Sequence, residues 1–447
     1  TRIGANSVSA VAFSLPVKLY PNLRGYVTGL VKSLTGLSGG LLAQLFTLLL
    51  GPPGNTSSTL GFLLFLALVA FVINVLLAPL LLPTGTKMRA SLVGARTRET
   101  GGREDIEVRA KVKASCIIVI VLIAAVLSCS FLTAAGTVPA STNSSVPMAA
   151  TSAVVASKSV GAYFLAALLM LLVVGMHFPL LFGKSTTTAL SEVEDPTRIL
   201  LLPLVGEAET TSDEAETTSD EVDNAIVTAT VDTPTLVMLR RTNFWLLLGV
   251  GQILVGGGYF LTTNSFQIVE SSGIHGASAG TAITVFSAVQ GLSRMVSGVM
   301  PDMLGKTGAA HRRLQGLCVY ALSMGVGHAL LWLAPLMKSL VLLYAGYLAC
   351  GIGFGGVWPV MVCVAADIWG LQNLGANYMV FDATTAFVGA LVLGKILPQS
   401  VYAAHVVEGA HTCNGPGCFG LAHVVECACC AVGVLFSMVL LRRRRPR

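Results

Sequence analysis

Apolar residues run along this chain in long blocks rather than in narrow amphipathic stripes. Eleven such blocks occupy residues 3–16, 26–50, 60–82, 114–138, 159–182, 243–263, 277–300, 314–335, 339–365, 376–399 and 421–441, separated by polar stretches. Most reach the roughly 20 residues that a helix needs to cross a hydrocarbon core. In lipid only helices and closed barrels satisfy their own backbone, and the ten-residue alternation of barrel strands does not occur here. The pattern predicts an all-α bundle that crosses a membrane many times. Gly36, Gly256 and Pro359 fall inside blocks, and membrane helices tolerate both residue types.

Composition agrees with the pattern. Of 447 residues, 54% are hydrophobic and 11% charged, against about a quarter charged in a soluble domain. So few charges cannot cover a water-facing surface. Their placement is more informative than their number. Of the 28 Lys and Arg residues, 22 lie in loops 17–25, 83–113, 184–242 and 301–313 and in the tail 442–447. The loops on the opposite side hold only Lys158 and Lys338. The excess of cations marks the first set, and with it the C-terminus, as cytoplasmic. The Asn-x-Ser/Thr sequons, Asn55 and Asn143, both fall on the other side, where glycosylation would occur.

Residues 184–242 change character abruptly. They carry twelve acidic residues against four basic ones and a tandem heptapeptide, EAETTSD at 207–213 and 214–220. A segment of that composition buries little apolar area, which predicts a disordered cytoplasmic linker.

Several short motifs point to one family. Gly298, Asp302, Gly305 and Lys306 form a G-x-x-x-D-x-x-G-K loop at the end of an apolar block, resembling the loop motif of the major facilitator superfamily. Met303 departs from that motif by following Asp302 where a basic residue is usual. Pro21, Arg24 and Gly25, then Lys32 and the run Gly36 to Gly39, resemble the nodulin-like branch. So do Asn264 and Gln267 near the end of another block, the stretch GIGFGGVWPV, and CNGPGCF in an outer loop. The resemblance implies two six-helix halves. Residues 1–82 would be what remains of the N-terminal half, its first three helices missing. The basic loop 83–113 would lead to two extra transmembrane helices in 114–183. The linker 184–242 would join these to the C-terminal six-helix half, 243–441, ahead of the basic tail. Placing Gly25 on Gly375 aligns two loops and sets Lys32 against Asp382, which suggests an internal repeat.

The candidate chemistry is sparse. Lys32 and Arg294 are cations inside apolar blocks, about two turns from the cytoplasmic end, and Asp382 is an acid at matching depth. A charge at the centre of a membrane helix costs roughly 2.5–3.5 kcal/mol on insertion scales, so it faces a cavity or a partner, or snorkels to the headgroups. The family fold would set Lys32 and Arg294 side by side between the halves, where two cations attract an anion or a carboxylate. Asp382 is a candidate proton-coupling group. Asn264 and Gln267 would bind substrate or cap their helix. Gly298, Asp302, Gly305 and Lys306 read as a latch, with Asp302 meeting either a helix N-terminus or Lys306.

Cys413 and Cys418 share an outer loop and are a candidate disulfide. No metal site, cofactor loop, catalytic triad or nucleic-acid motif stands out, and no enzyme reading is supported. The expected function is secondary transport of a small solute by alternating access, led by a monocarboxylate or other small anion with a coupled proton. A metal ion or its chelate is the rival substrate, and a non-transporting receptor or regulator the rival function. The expected setting is the lipid bilayer of the plasma membrane or of an endomembrane organelle.

Overall fold

The computed structural model describes residues 17, 23–33, 35, 36, 117, 119–121, 123, 124, 232–305, 308–407 and 412–443. Every regular element among them is helical. In the C-terminal half these are α1 (Thr235–Leu239), α2 (Thr242–Ser272), α3 (Ala279–Met303), α4 (Ala309–Met337) and α5 (Leu340–Trp369). After them come α6 (Leu374–Thr384), a π-type stretch (Thr385–Ile396), α7 (Leu397–Ala404) and α8 (Gly417–Arg443). With α6, the π-type stretch and α7 taken as one span, six of these helices are long and apolar enough to cross a membrane. The chain is an integral, multi-pass membrane protein. Pro21, Asn55, Asn143 and Lys306 lie outside the described residues.

Local signals set the ends of these helices. Ser278 and Ser339 cap α3 and α5 by accepting from the amides of Thr281 and Leu342. Gly273, at φ 57°, stops α2 in the left-handed conformation that costs glycine little. Lys338 adopts the same conformation at the end of α4, and its Nζ donates to the carbonyl of Ser272 at 3.0 Å.

Two helix ends and one linker differ from the sequence reading. Helix α4 begins at Ala309 rather than at 314, and α5 continues to Trp369 rather than ending at 365. Arg313 and Asp367, which read as loop residues, are therefore helical and buried. The predicted disorder of 184–242 is also corrected at its end, since 232–241 are ordered and include α1. The reason is hydrogen bonding to the α5–α6 junction. Asp232 accepts from the amide of Gln372 at 2.9 Å, the Thr233 amide donates to the Trp369 carbonyl at 2.9 Å, and Thr235 donates to Asn377 at 2.8 Å.

Small residues let the helices approach closely. Residues 24–33 and 35–36 are helical and lie against α3, with Gly25 and Gly29 facing Gly298 and Gly36 facing Gly291. A Cβ on Gly298 would run into the backbone of Gly25 and Gly29. The glycine run of α5 works on two sides, Gly351 and Gly355 against α3 and Gly353 and Gly356 against α4. Outward positions stay apolar, as a lipid-facing surface requires: Val319, Leu322, Phe387, Leu421 and Leu435 are all exposed. From the segment 114–138, Val119 and Ile123, one helical turn apart, are buried with Ala288 and Met295 of α3 and with Leu30.

Candidate functional site

Two charged layers lie where the helix of residues 24–33 meets the C-terminal half. The first is at the end of α3, the start of α4 and the end of α5. Gly25 begins its helix with an unpaired amide, and Asp302 of α3 accepts from it at 2.9 Å, placing a carboxylate on a helix N-terminus. Arg313 of α4 also bonds Asp302, and its other arm takes both oxygens of Asp367 at 3.0 and 2.7 Å. Arg24 completes the set by pairing with Asp367. Two cations and two carboxylates are matched, and Arg313 has only 2% of its side chain exposed. Beside them Arg312 donates to the carbonyls of Pro301 and Gly305, tying down the loop that follows α3.

The second layer lies deeper. Lys32, two turns along its helix from Gly25, is buried, and its Nζ donates to the hydroxyl of Tyr378 at 2.9 Å. The ammonium sits over the rings of Trp358 and Tyr378, at 4.8 and 5.1 Å from their centroids, a contact that attracts a cation to the face of the ring. Arg294 of α3 reaches across the seam to the carbonyl of Lys32 at 3.1 Å and the hydroxyl of Thr35 at 3.0 Å. It also donates to Gln290, one turn back, at 3.0 Å. Its guanidinium lies over Phe354 and Trp358, while its Nε is buried without a partner. Asp382, one turn beyond Tyr378 on α6, is the carboxylate facing this group, within electrostatic reach of both Lys32 and Tyr378. Among the described residues, two buried cations and one carboxylate thus share this layer.

The structure thus brings Lys32, Arg294 and Asp382 together and sets Arg24, Gly25, Gly298 and Asp302 beneath them. Asn264 and Gln267 lie elsewhere. Both accept from Gln399 of α7, at 2.5 and 2.7 Å, and Asn264 also donates to the carbonyls of Phe260 and Gly394. They clamp α2 to the π-type stretch, where Gln252 also accepts from the Gly389 amide at 2.8 Å. The side chain of Asn264 both accepts and donates in these helix contacts, and that of Gln267 accepts. Cys413 and Cys418 are joined as a disulfide in the loop before α8.

Sequence reading missed Tyr378, Trp358, Arg313 and Asp367. The first two read as ordinary apolar-block aromatics, although Tyr378 precedes Asp382 by one helical turn. The last two were hidden by helix ends placed a turn too short.

Comparison with known proteins bears on what this arrangement serves. The nodulin-like family model matches residues 2–179, and the model for the C-terminal domain of NFD4 matches residues 228–446. Together they account for most of the chain. The chain belongs to the nodulin-like branch of the major facilitator superfamily. Among individual relatives, this nodulin-like protein is similar to an uncharacterized MFS-type transporter, YhjX, of Escherichia coli, with 26% identity over 141 residues, 31% of this chain and 33% of that protein. It is also similar to a probable transporter, mch1, of Emericella nidulans, with 23% identity over 213 residues, 40% of this chain and 34% of that one. The chain spans about a third of the length of each curated relative it matches.

Proposed function

We propose that this nodulin-like protein is a secondary carrier that binds a small anion, of the monocarboxylate class, between its two halves. The observation that carries this reading is the pair of buried cations in the deeper layer, Lys32 and Arg294, with the Nε of Arg294 left without an acceptor. A buried excess cation is costly unless an opposite charge visits it. A carboxylate entering the seam would meet the Arg294 Nε, which lacks an acceptor, and the Lys32 ammonium, with aromatic walls from Trp358 and Tyr378. A guanidinium also suits the planar geometry of a carboxylate.

The same seam supplies a gate. Asp302, Arg313, Asp367, Arg24 and the Gly25 amide cross between the helix of residues 24–33 and the C-terminal half on the cytoplasmic side. These contacts persist only while the two halves stay together there, so they latch one of the two states that alternating access requires. Asp382 shares the deeper layer with Lys32, and a proton moving on or off it would change how strongly that layer attracts an anion. That coupling is the mechanism we assign to it.

The test is uptake into proteoliposomes from a panel of labelled monocarboxylates, inorganic anions and divalent metal ions. Uptake of a carboxylate that collapses in both Lys32→Ala and Arg294→Ala is the expected result. Uptake unaffected by either change, or confined to metal ions, contradicts the reading.

A further inference from the structure

A third polar cluster lies wholly within the C-terminal half and shares no residue with the seam. His328 of α4 and His423 of α8 bring their Nδ1 atoms to 3.0 Å. Both rings are buried and both stack on Phe260 of α2, at 5.5 and 4.8 Å between centroids. At that separation one Nδ1 carries the hydrogen and the other accepts it, so the pair has room for one more proton. A single helical turn further along α8, Glu426 is fully buried, and neither of its carboxylate oxygens has a hydrogen-bond partner.

Among the described residues, the surroundings of Glu426 offer it no charge partner. The titratable groups around it are Cys350 of α5 and Cys427, Cys429 and Cys430 of its own helix. Two of those thiols are directed to backbone carbonyls of α4, Cys350 to Met324 and Cys427 to Gly325. Tyr347 of α5, buried beside Cys350, has Ser265 of α2 next to its hydroxyl. From α4 the titratable contribution is His328, and from α2 the imidazoles meet the Phe260 ring and, at His328, the backbone of Gly257. An ionised carboxylate stripped of water with neither donor nor cation is prohibitively costly, whereas the neutral acid carries no such penalty. Among the described residues no group of three or more His, Cys, Asp and Glu side chains is arranged to hold a metal ion, which leaves the proton as the ligand that fits.

A route to this cluster opens from the outer side. A cavity beneath the disulfide loop is lined by Ser271, Ser272, Trp332, Gly415, Phe419 and His423. His423 lies about 9 Å into α8 at 1.5 Å per residue, with Glu426 one turn deeper. We propose that Glu426 and the His328–His423 pair form a proton-binding site inside the C-terminal half, loaded from the outer face through this cavity. The imidazole pair relays the proton between water in the cavity and the carboxyl group, which holds it as the neutral acid.

Infrared spectroscopy of the full chain in lipid nanodiscs tests this without any transport assay. At neutral pH the wild type should show the carbonyl stretch of a protonated carboxylic acid. That band should be absent from Glu426→Gln, shifted in Glu426→Asp and unchanged in Asp382→Asn. In D2O the band should move downward as the proton exchanges, and His423→Phe should slow that exchange at least about tenfold. The aspartate variant keeps an acid at the site, so the assignment stands even if the glutamine variant does not fold. Absence of any acid band that depends on residue 426 overturns the proposal. An exchange rate unchanged in His423→Phe overturns the outer route through the imidazoles.

Discussion

The layer of Arg24 and Arg313 and the deeper layer of Lys32 and Arg294 are built from the same kinds of residue, and they differ in how their charges are met. Below, Arg24 and Arg313 meet Asp302 and Asp367, and Asp302 also takes the amide of Gly25. Above, among the described residues, Asp382 is the carboxylate near Lys32, and aromatic rings and neutral oxygens surround Lys32 and Arg294. A balanced buried network holds a structure together but has no electrostatic need of a ligand. A pair of buried cations with an unfilled donor suits a visiting anion. On the function proposed above, the first layer holds and the second binds.

The strongest way to break that division is to remove Arg313, which leaves Asp302 and Asp367 buried without their shared cation. Arg313→Ala should cost about 3–5 kcal/mol, read as a fall in unfolding temperature in detergent. An effect below about 1 kcal/mol would mean the network holds little. Next comes Asp382→Asn, which should leave the seam with two unopposed cations. At an effective dielectric of about 20, a unit charge a few ångströms away is worth several kcal/mol. Anion affinity should accordingly rise by at least about tenfold, and uptake should lose its dependence on pH. Weaker binding would turn Asp382 from an electrostatic competitor into a structural support.

A smaller effect should follow from Gly298→Ala, which places a methyl group against the backbone of Gly25 and Gly29. Overpacking of this kind costs about 1–3 kcal/mol. It should act by parting the two helices, so cross-linking of cysteines placed across the cytoplasmic seam should fall while anion affinity is kept. Smallest is Gln399→Ala, which removes donors to Asn264 and Gln267. Helix-bridging hydrogen bonds in membranes are worth roughly 0.6–2 kcal/mol. Stability should drop by that amount with uptake intact, whereas a selective loss of uptake would return Asn264 and Gln267 to the substrate site.

How much of this was legible beforehand depended on range. The helical bundle followed from run length and low charge, because lipid punishes any other backbone. The unusual depth of Lys32, Arg294 and Asp382 was legible for the same reason, since a charge inside an apolar run is costly wherever it falls. Their meeting was less accessible. It depends on Gly25, Gly29 and Gly36 letting one helix reach the α3 backbone, and on α6 turning Tyr378 toward Lys32. Arg313 and Asp367 were hidden because hydropathy ends a helix at its last apolar residue. Here the helices run on, and their terminal charges pair with one another. Asn264 and Gln267 looked like a site because they are polar in an apolar block, and the competing explanation, a clamp on the π-type stretch, needed the position of Gln399.

Equilibrium binding of a labelled monocarboxylate to the purified chain bears most directly on the central claim. With wild type, Lys32→Gln and Arg294→Gln compared at one ionic strength, each loss of a seam cation should weaken binding by about 10–100-fold, the value of a charge-assisted hydrogen bond of about 1.5–3 kcal/mol. Affinity that stays the same when either cation is neutralised would contradict an anion site in the seam.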